Sequence, residues 1–344
     1  MSPTSSAEQP ASRPVLEVQA VAPSVEPTDT SGTLPGTGSR GRQLVSPAVH
    51  TIELRKQYPR TVALEGLSIT VRRGEIFGFL GPNGAGKTTA VKLLLSLVRP
   101  TGGEAMVLGA PVGDVETRRR IGYLPELFRF QGWLTAREVL LLHCRLLRLP
   151  SAQWNAMVGD ALATVGLSDR GQDKVGGFSK GMQQRLGLGV ALLGAPELVV
   201  LDEPTSALDP VGRHHVREII RDLRARGATV FLNTHLLEEV EHVCDRVAVI
   251  DKGQTIATGT ISELIGQQSS VRLKVSGLDE RWWERLAGFG RWSIEGEWLL
   301  VEAIEPQQIP DLVGAIVGLG GRVAAVVPEH KSLEDRFLEL LGEA

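Results

Sequence analysis

Cysteine is nearly absent: Cys144 and Cys244 are the two in 344 residues, far apart and without another Cys or His at metal-ligand spacing. That excludes a disulfide framework and a zinc site, and both read as reduced helix residues. Long apolar runs are missing as well. The nearest, Leu186 to Leu201, is interrupted by Pro196 and Glu197, so nothing reaches the ~18 uninterrupted apolar residues that a membrane-spanning helix needs. The amino end lacks the basic-then-apolar order of a secretory leader. A basic excess, the mark of a nucleic-acid binder, is lacking too, because the net charge is −3. The expected compartment is the cytoplasm, and no nucleic acid is expected as partner.

Against those absences stands a chain that is 42% hydrophobic and long enough for one large domain and a smaller one. Residues 1–46 are rich in Ser, Thr, Pro and Gly without periodicity, and such a segment buries too little apolar surface to offset its ordering entropy. A disordered tail is expected there. A main domain follows over 47–268, with a helical subdomain at about 127–180, and a small α+β accessory domain over 269–344. Within the main domain Thr135 and Glu138 predict a capping box before a helix over Val139–Leu149 that Pro150 stops. In the accessory part Ser332 and Asp335 signal the start of a last helix, Leu333–Leu341.

The most informative stretch is Gly81-Pro82-Asn83-Gly84-Ala85-Gly86-Lys87-Thr88-Thr89. An apolar run, Ile76–Leu80, precedes it as a buried strand, and Ala90–Leu97 follows as a helix. In that context the glycines permit a tight turn that brings successive N–H groups to phosphate oxygens, and the helix N-terminus adds partial positive charge. Lys87 would reach the β- and γ-phosphates and the Thr88 hydroxyl would ligate Mg²⁺. A nucleoside triphosphate is therefore expected.

Leu198–Leu201 is a second apolar run, ending in Asp202 and Glu203. In a chain with a phosphate loop this places Asp202 near Mg²⁺ and turns Glu203 towards an attacking water as catalytic base. Unalternating apolar strands (198–201, 229–232, 246–250) separated by helices predict a parallel sheet covered on both faces. Phe178-Ser179-Lys180-Gly181-Met182-Gln183-Gln184-Arg185 offers a second anion site, with Ser179 capping a helix that starts at Gly181.

With these motifs in this order, the chain resembles the ATP-binding cassette family over about residues 49–265. The resemblance implies an α/β P-loop NTPase core with a parallel sheet, an antiparallel β subdomain and a helical subdomain, and it implies ATP hydrolysis with Mg²⁺. It further implies that Ser179 and Gly181 complete the ATP pocket of an opposing subunit in a homodimer, and that Ser206–Asp209 cross between the subunits. His235 matches the switch histidine at the γ-phosphate, and Tyr58 the aromatic that stacks on adenine.

Two departures stand out. Gly122-Tyr123-Leu124-Pro125-Glu126 carries Glu126 where the family commonly has Gln, so this side chain can still accept a hydrogen bond from a metal-bound water but cannot donate one. Lys180 and Met182 replace a Gly and a Gln of the common signature. These features, with the ending Ser332–Leu340, resemble the branch of ATPase subunits that drive drug, antibiotic or polysaccharide exporters. That likeness implies an integral membrane permease as partner and a position on the inner face of the cell membrane. Leu127–Leu134, unusually aromatic, either offers a groove to a short helix of that partner or packs the helical subdomain. A cassette ATPase acting on nucleic acid or ribosomes is the alternative, though the chain has neither a coiled-coil insertion nor a duplicated cassette. A module that binds ATP without hydrolysing it is disfavoured because Glu203 and His235 are both present.

Overall fold

The computed structural model describes residues 46–265, 269–278, 282–330 and 332–342. The tail expected over residues 1–46 lies outside them but for its last residue. The first strands are β1 (Val49–Tyr58), β2 (Thr61–Leu67), β3 (Thr70–Val71) and β4 (Ile76–Leu80). After helix α1 (Lys87–Leu94) come β5 (Gly102–Val107), β6 (Ala110–Pro111), the short helix α2 (Val115–Arg118) and β7 (Ile121–Leu124). Helices α3 (Ala136–Leu146), α4 (Trp154–Thr164) and α5 (Lys180–Ala191) lead to β8 (Leu198–Asp202), α6 (Pro210–Ala225), β9 (Thr229–Asn233), α7 (Leu237–Val243), β10 (Arg246–Asp251), β11 (Gln254–Thr260) and α8 (Ile261–Ile265).

These strands form one sheet in the order β6-β5-β1-β2-β11-β10-β4-β9-β8-β7, with β3 on β1. From β10 to β7 every pair is parallel; β1 with its neighbours and the β10–β11 hairpin are antiparallel. β4, β8 and β9 are buried at every position. In β8, Val199 and Leu201 join the core under the helical layer, while Leu198 and Val200 join the core around α1 and the antiparallel strands. Burial on both faces is why these runs show no polar alternation. Phe231 of β9 stacks on Phe77 with ring centroids 5.9 Å apart, tying β9 to β4.

Several elements differ from expectation for local reasons. The helix expected over Ala90–Leu97 starts inside the motif, because Gly86 at φ 103° serves as its N-cap. The extended run is broken between β2 and β3, after Leu67. There the buried Thr51 hydroxyl donates to the Leu67 carbonyl (2.8 Å) and accepts from the Ile69 N–H (3.0 Å), replacing ladder bonds. The capping box on α3 is present, with Thr135 Oγ1 accepting from the Glu138 N–H at 3.2 Å and Glu138 Oε2 from the Thr135 N–H at 2.8 Å. α3 ends at Leu146, short of Leu149, because Arg148 turns into left-handed backbone (φ 55°) and the Leu149 N–H returns to the Cys144 carbonyl at 3.0 Å. Cys144 lies in α3, but Cys244 caps the end of α7 outside the helix.

A second sheet, order β13-β14-β12-β15, is built from β12 (Ser269–Ser276), β13 (Arg291–Glu295), β14 (Trp298–Glu302) and β15 (Arg322–His330), all antiparallel. Helices α9 (Trp282–Leu286) and α10 (Ile309–Gly318) accompany it, and Val271, Leu273, Val301, Leu312 and Ile316 form its core. Trp282 meets Trp292 edge-on, while Trp283 is largely exposed. The last helix, α11 (Leu333–Leu341), belongs to a different cluster: Leu333 is buried with Leu80, Val240, Val247, Val249 and Leu264 of the main sheet and its helices. Among the described residues no helix is long and apolar enough to cross a membrane.

Candidate functional site

At the carboxyl ends of β4, β8 and β9 lies a cavity of about 410 Å³, the place where open α/β sheets bind ligands. Asn83, Gly84, Gly86, Lys87, Thr88, Thr89, Glu126, Asp202, Glu203 and His235 all line it. Residues as far apart as Asn83 and His235 are thus brought together by four parallel strands, β7 included, and the loops that leave them.

The phosphate loop owes its shape to two glycines. Gly84 (φ 84°) and Gly86 (φ 103°) occupy left-handed backbone, and a Cβ on Gly86 would lie 2.5 Å from the Ala63 carbonyl. No side chain caps α1 and no acid occupies its first turn, so its leading N–H groups stay available for an anion. Lys87 is buried, and its ammonium donates to the carbonyls of Gly81 (2.6 Å) and Pro82 (3.1 Å). Burial pulls its pKa down, and the charges of Glu203, Asp202 and Glu126 push it back up. Gly81 and Ala85 sit behind the loop, where the Ala85 carbonyl accepts from the Gly253 N–H (2.9 Å).

Asp202 ends β8 almost fully buried, and Asn233 Nδ2 donates to its Oδ1 at 2.5 Å. Burial holds this carboxyl above the usual carboxylate range; the Asn233 hydrogen bond acts the other way. Asn233 Oδ1 is buried without a partner among the described residues. The same burial, with Asp202 and Glu126 nearby, pushes the Tyr123 phenol up to about 12. Glu203 is held at φ 51°, a conformation that costs a non-glycine residue about 1–2 kcal/mol. Its Oε1 accepts from both the backbone N–H (3.0 Å) and Nδ1 (2.7 Å) of His235, and its Oε2 accepts from the Thr234 hydroxyl at 3.3 Å. The carboxylate is therefore aimed by three donors on the loop after β9.

The oxygen donors on the cavity, the Thr88 hydroxyl and the Asp202 and Glu126 carboxylates, fit a small hard dication such as Mg²⁺. Among the described residues no group of three His, Cys, Asp or Glu could hold a metal alone.

Other expected residues lie elsewhere. Ser179 is exposed at the start of α5, its hydroxyl accepting from the Met182 N–H at 3.2 Å; neither it nor Gly181 lines the cavity. A Cβ on Gly181 would lie 3.3 Å from Leu208, so this helix start packs on the loop after Glu203. Asp209 caps α6, accepting from the Gly212 N–H at 2.8 Å, with Pro210 in the first helical position. Tyr58 also stays outside the lining. It pairs with Thr61 at a hairpin end and carries the Lys56 ammonium 5.0 Å from its ring centroid. Thr61, Val62 and Ala63 of that hairpin form part of the lining, and no motif announces them; Ser206, from the loop expected to cross between subunits, forms another part. Asn233 and Thr234 were also missed, although two polar residues closing an all-apolar strand before a histidine are a readable signal. Phe128 and Phe130 pack together and against the helical layer, whereas Leu127 and Trp133 are 87% and 72% exposed.

The model of the ABC transporter family matches residues 64–206. An uncharacterised ABC transporter ATP-binding protein of Nostoc sp. is 39% identical over 308 residues, which span 84% of this chain and 88% of that one. The Nod factor export ATP-binding protein I of Burkholderia thailandensis is 38% identical over 295 residues, spanning 84% of this chain and 95% of that one. Among solved structures, the ATP-binding subunit of an ABC transporter aligns with a TM-score of 0.59 at 31% identity, covering 63% of this chain and 91% of that one.

Proposed function

Because the chain belongs to the ABC transporter family, as an ATP-binding subunit that hydrolyses ATP, we propose that it powers an exporter by closing and reopening a homodimer beneath a separate membrane-spanning permease. The observation that carries the reading is the aim of Glu203: a strained carboxylate, fixed by His235 and Thr234, faces the cavity that the phosphate loop also lines. Loop N–H groups and Lys87 hold the β- and γ-phosphates, Lys87 exchanging its two carbonyl partners for phosphate oxygens. Glu203 takes the proton of the attacking water, and His235 keeps Glu203 in line while contacting the γ-phosphate. Thr88 and Asp202 would hold Mg²⁺ directly and Glu126 through a water; the ion supplies neutralisation of the charge that builds on the phosphates. Tyr58 stacks on adenine beside the Thr61–Ala63 wall.

The absence of Ser179 and Gly181 from the cavity lining supports a composite site. One chain supplies phosphate loop, metal residues and base; the exposed, capped start of α5 in a second copy closes the site from the other side. Two states that differ in these nucleotide contacts can transmit work. Export is supported by the name of the Burkholderia relative, and the exposed Leu127 and Trp133, which follow Glu126 in sequence, suit contact with the permease. The test is Glu203→Gln. Turnover should fall by about 10²–10⁴-fold, the usual weight of a general base, and the variant should elute as a dimer only with ATP. Undiminished hydrolysis would remove Glu203 from this role.

A further inference from the structure

Helix α7 begins two residues after His235, so whatever fixes α7 fixes the switch histidine. Its two sides are held differently. On one side α6 grips it: Arg217 approaches Glu239 at 3.9 Å and Arg221 donates to the His242 carbonyl at 3.0 Å. On the other side Val240 is fully buried in the cluster that contains Leu333, with Leu237, Phe337 and Leu340 packed around it. The joint is also polar. Glu241 Oε1 of α7 accepts the Leu333 N–H at 2.7 Å, taking one of the free N–H groups at the start of α11. Arg336 donates through Nε to the Leu264 carbonyl at the end of α8, 3.0 Å away.

From this geometry we infer that α11 is a positioning element for hydrolysis: Glu241, Leu333 and Phe337 lock α7, and through it hold His235 on Glu203. The inference rests on the assignment of Glu203 and His235 to hydrolysis. The path is short and stiff. It runs from Leu333 through one hydrogen bond to Glu241, along fewer than two helical turns to Leu237, and across Leu236 to His235, whose Nδ1 lies 2.7 Å from the base. α11 follows the four-stranded module in sequence yet packs on the main sheet, so whatever moves the module pulls on this joint. Nucleotide contact by the phosphate loop involves none of these residues.

The full-length chain tests this by steady-state hydrolysis and by binding of a fluorescent ATP analogue. Glu241→Ala should lower kcat by about tenfold, less than the ~10² that a 1 Å misplacement of a reacting group can cost, with KM and analogue affinity unchanged. Glu241→Gln keeps an oxygen acceptor for the Leu333 N–H and should restore most of the rate. Phe337→Ala, only partly buried and so expected to fold, should reproduce the split. If Glu203→Gln abolishes turnover but neither Glu241→Ala nor Phe337→Ala moves kcat, this inference alone is overturned. It is equally overturned if KM rises as kcat falls, or if Glu241→Gln is no better than Glu241→Ala. Undiminished turnover in Glu203→Gln would overturn the underlying assignment and this inference with it.

Discussion

Two adjacent acids carry opposite burdens at the end of one strand. Glu203 stores strain in its backbone so that its side chain can be aimed, and Asp202 stores it as a buried carboxyl held above its ordinary pKa. Such strain survives only where the surroundings over-determine it. For Asp202 the sign follows directly. A carboxyl whose pKa is raised on folding favours the fold when protonated, and ionisation takes that stability away as pH rises through the raised pKa. Near neutral pH the nucleotide-free protein therefore carries a penalty that Asp202→Asn removes. The variant should gain about 0.5–2 kcal/mol in thermal unfolding near neutral pH and lose most turnover. Its gain should shrink as the pH is lowered through the raised pKa. A gain that grew on acidification would contradict the burial account.

At the scale of elements, the site is assembled from helix starts. α1 leaves its first N–H groups uncapped, whereas α5 is capped by Ser179 and exposed at its start. The first suits an anion within the chain, the second an anion brought by another copy. Ser179→Arg should abolish the ATP-induced dimer of the Glu203→Gln variant, seen by light scattering. It should leave binding of a fluorescent ATP analogue within about threefold, since loss of the cap costs only ~1 kcal/mol locally. A dimer that persists would exclude α5 from the shared site. This is also the scale at which reading from sequence succeeded unevenly. The phosphate loop and Asp202–Glu203 were readable because each is contiguous and follows an unbroken apolar strand. Thr61–Ala63 were not, since their place on the cavity comes from a hairpin folding over Gly86. β13 alternates polar and apolar residues as a strand should, but it is five residues long and four of them are exposed, so little burial marks it. The docking of α11 was hidden for another reason: its apolar stripe fits any apolar neighbour, and only the fold shows that the neighbour is α7 and not the module before it.

For the whole molecule, among the described residues, the cluster of the four-stranded sheet shares no residue with the clusters around the main sheet. Separate cores unfold separately unless a large interface couples them. Leu312→Ala, at a fully buried site, should cost about 2–5 kcal/mol and lower only the first of two calorimetric transitions. The second, which ATP raises by binding the folded state, should stay in place. A single transition that shifts as a unit would show that the two cores melt together.

Ser269 and His330 lie opposite each other at the ends of β12 and β15. The chain thus leaves for the small sheet and comes back through neighbouring doorways, about 5 Å apart in an antiparallel pair. Excising the detour would leave ends that one tight turn could rejoin, so this piece can be swapped like a bayonet fitting without rethreading the motor that carries it.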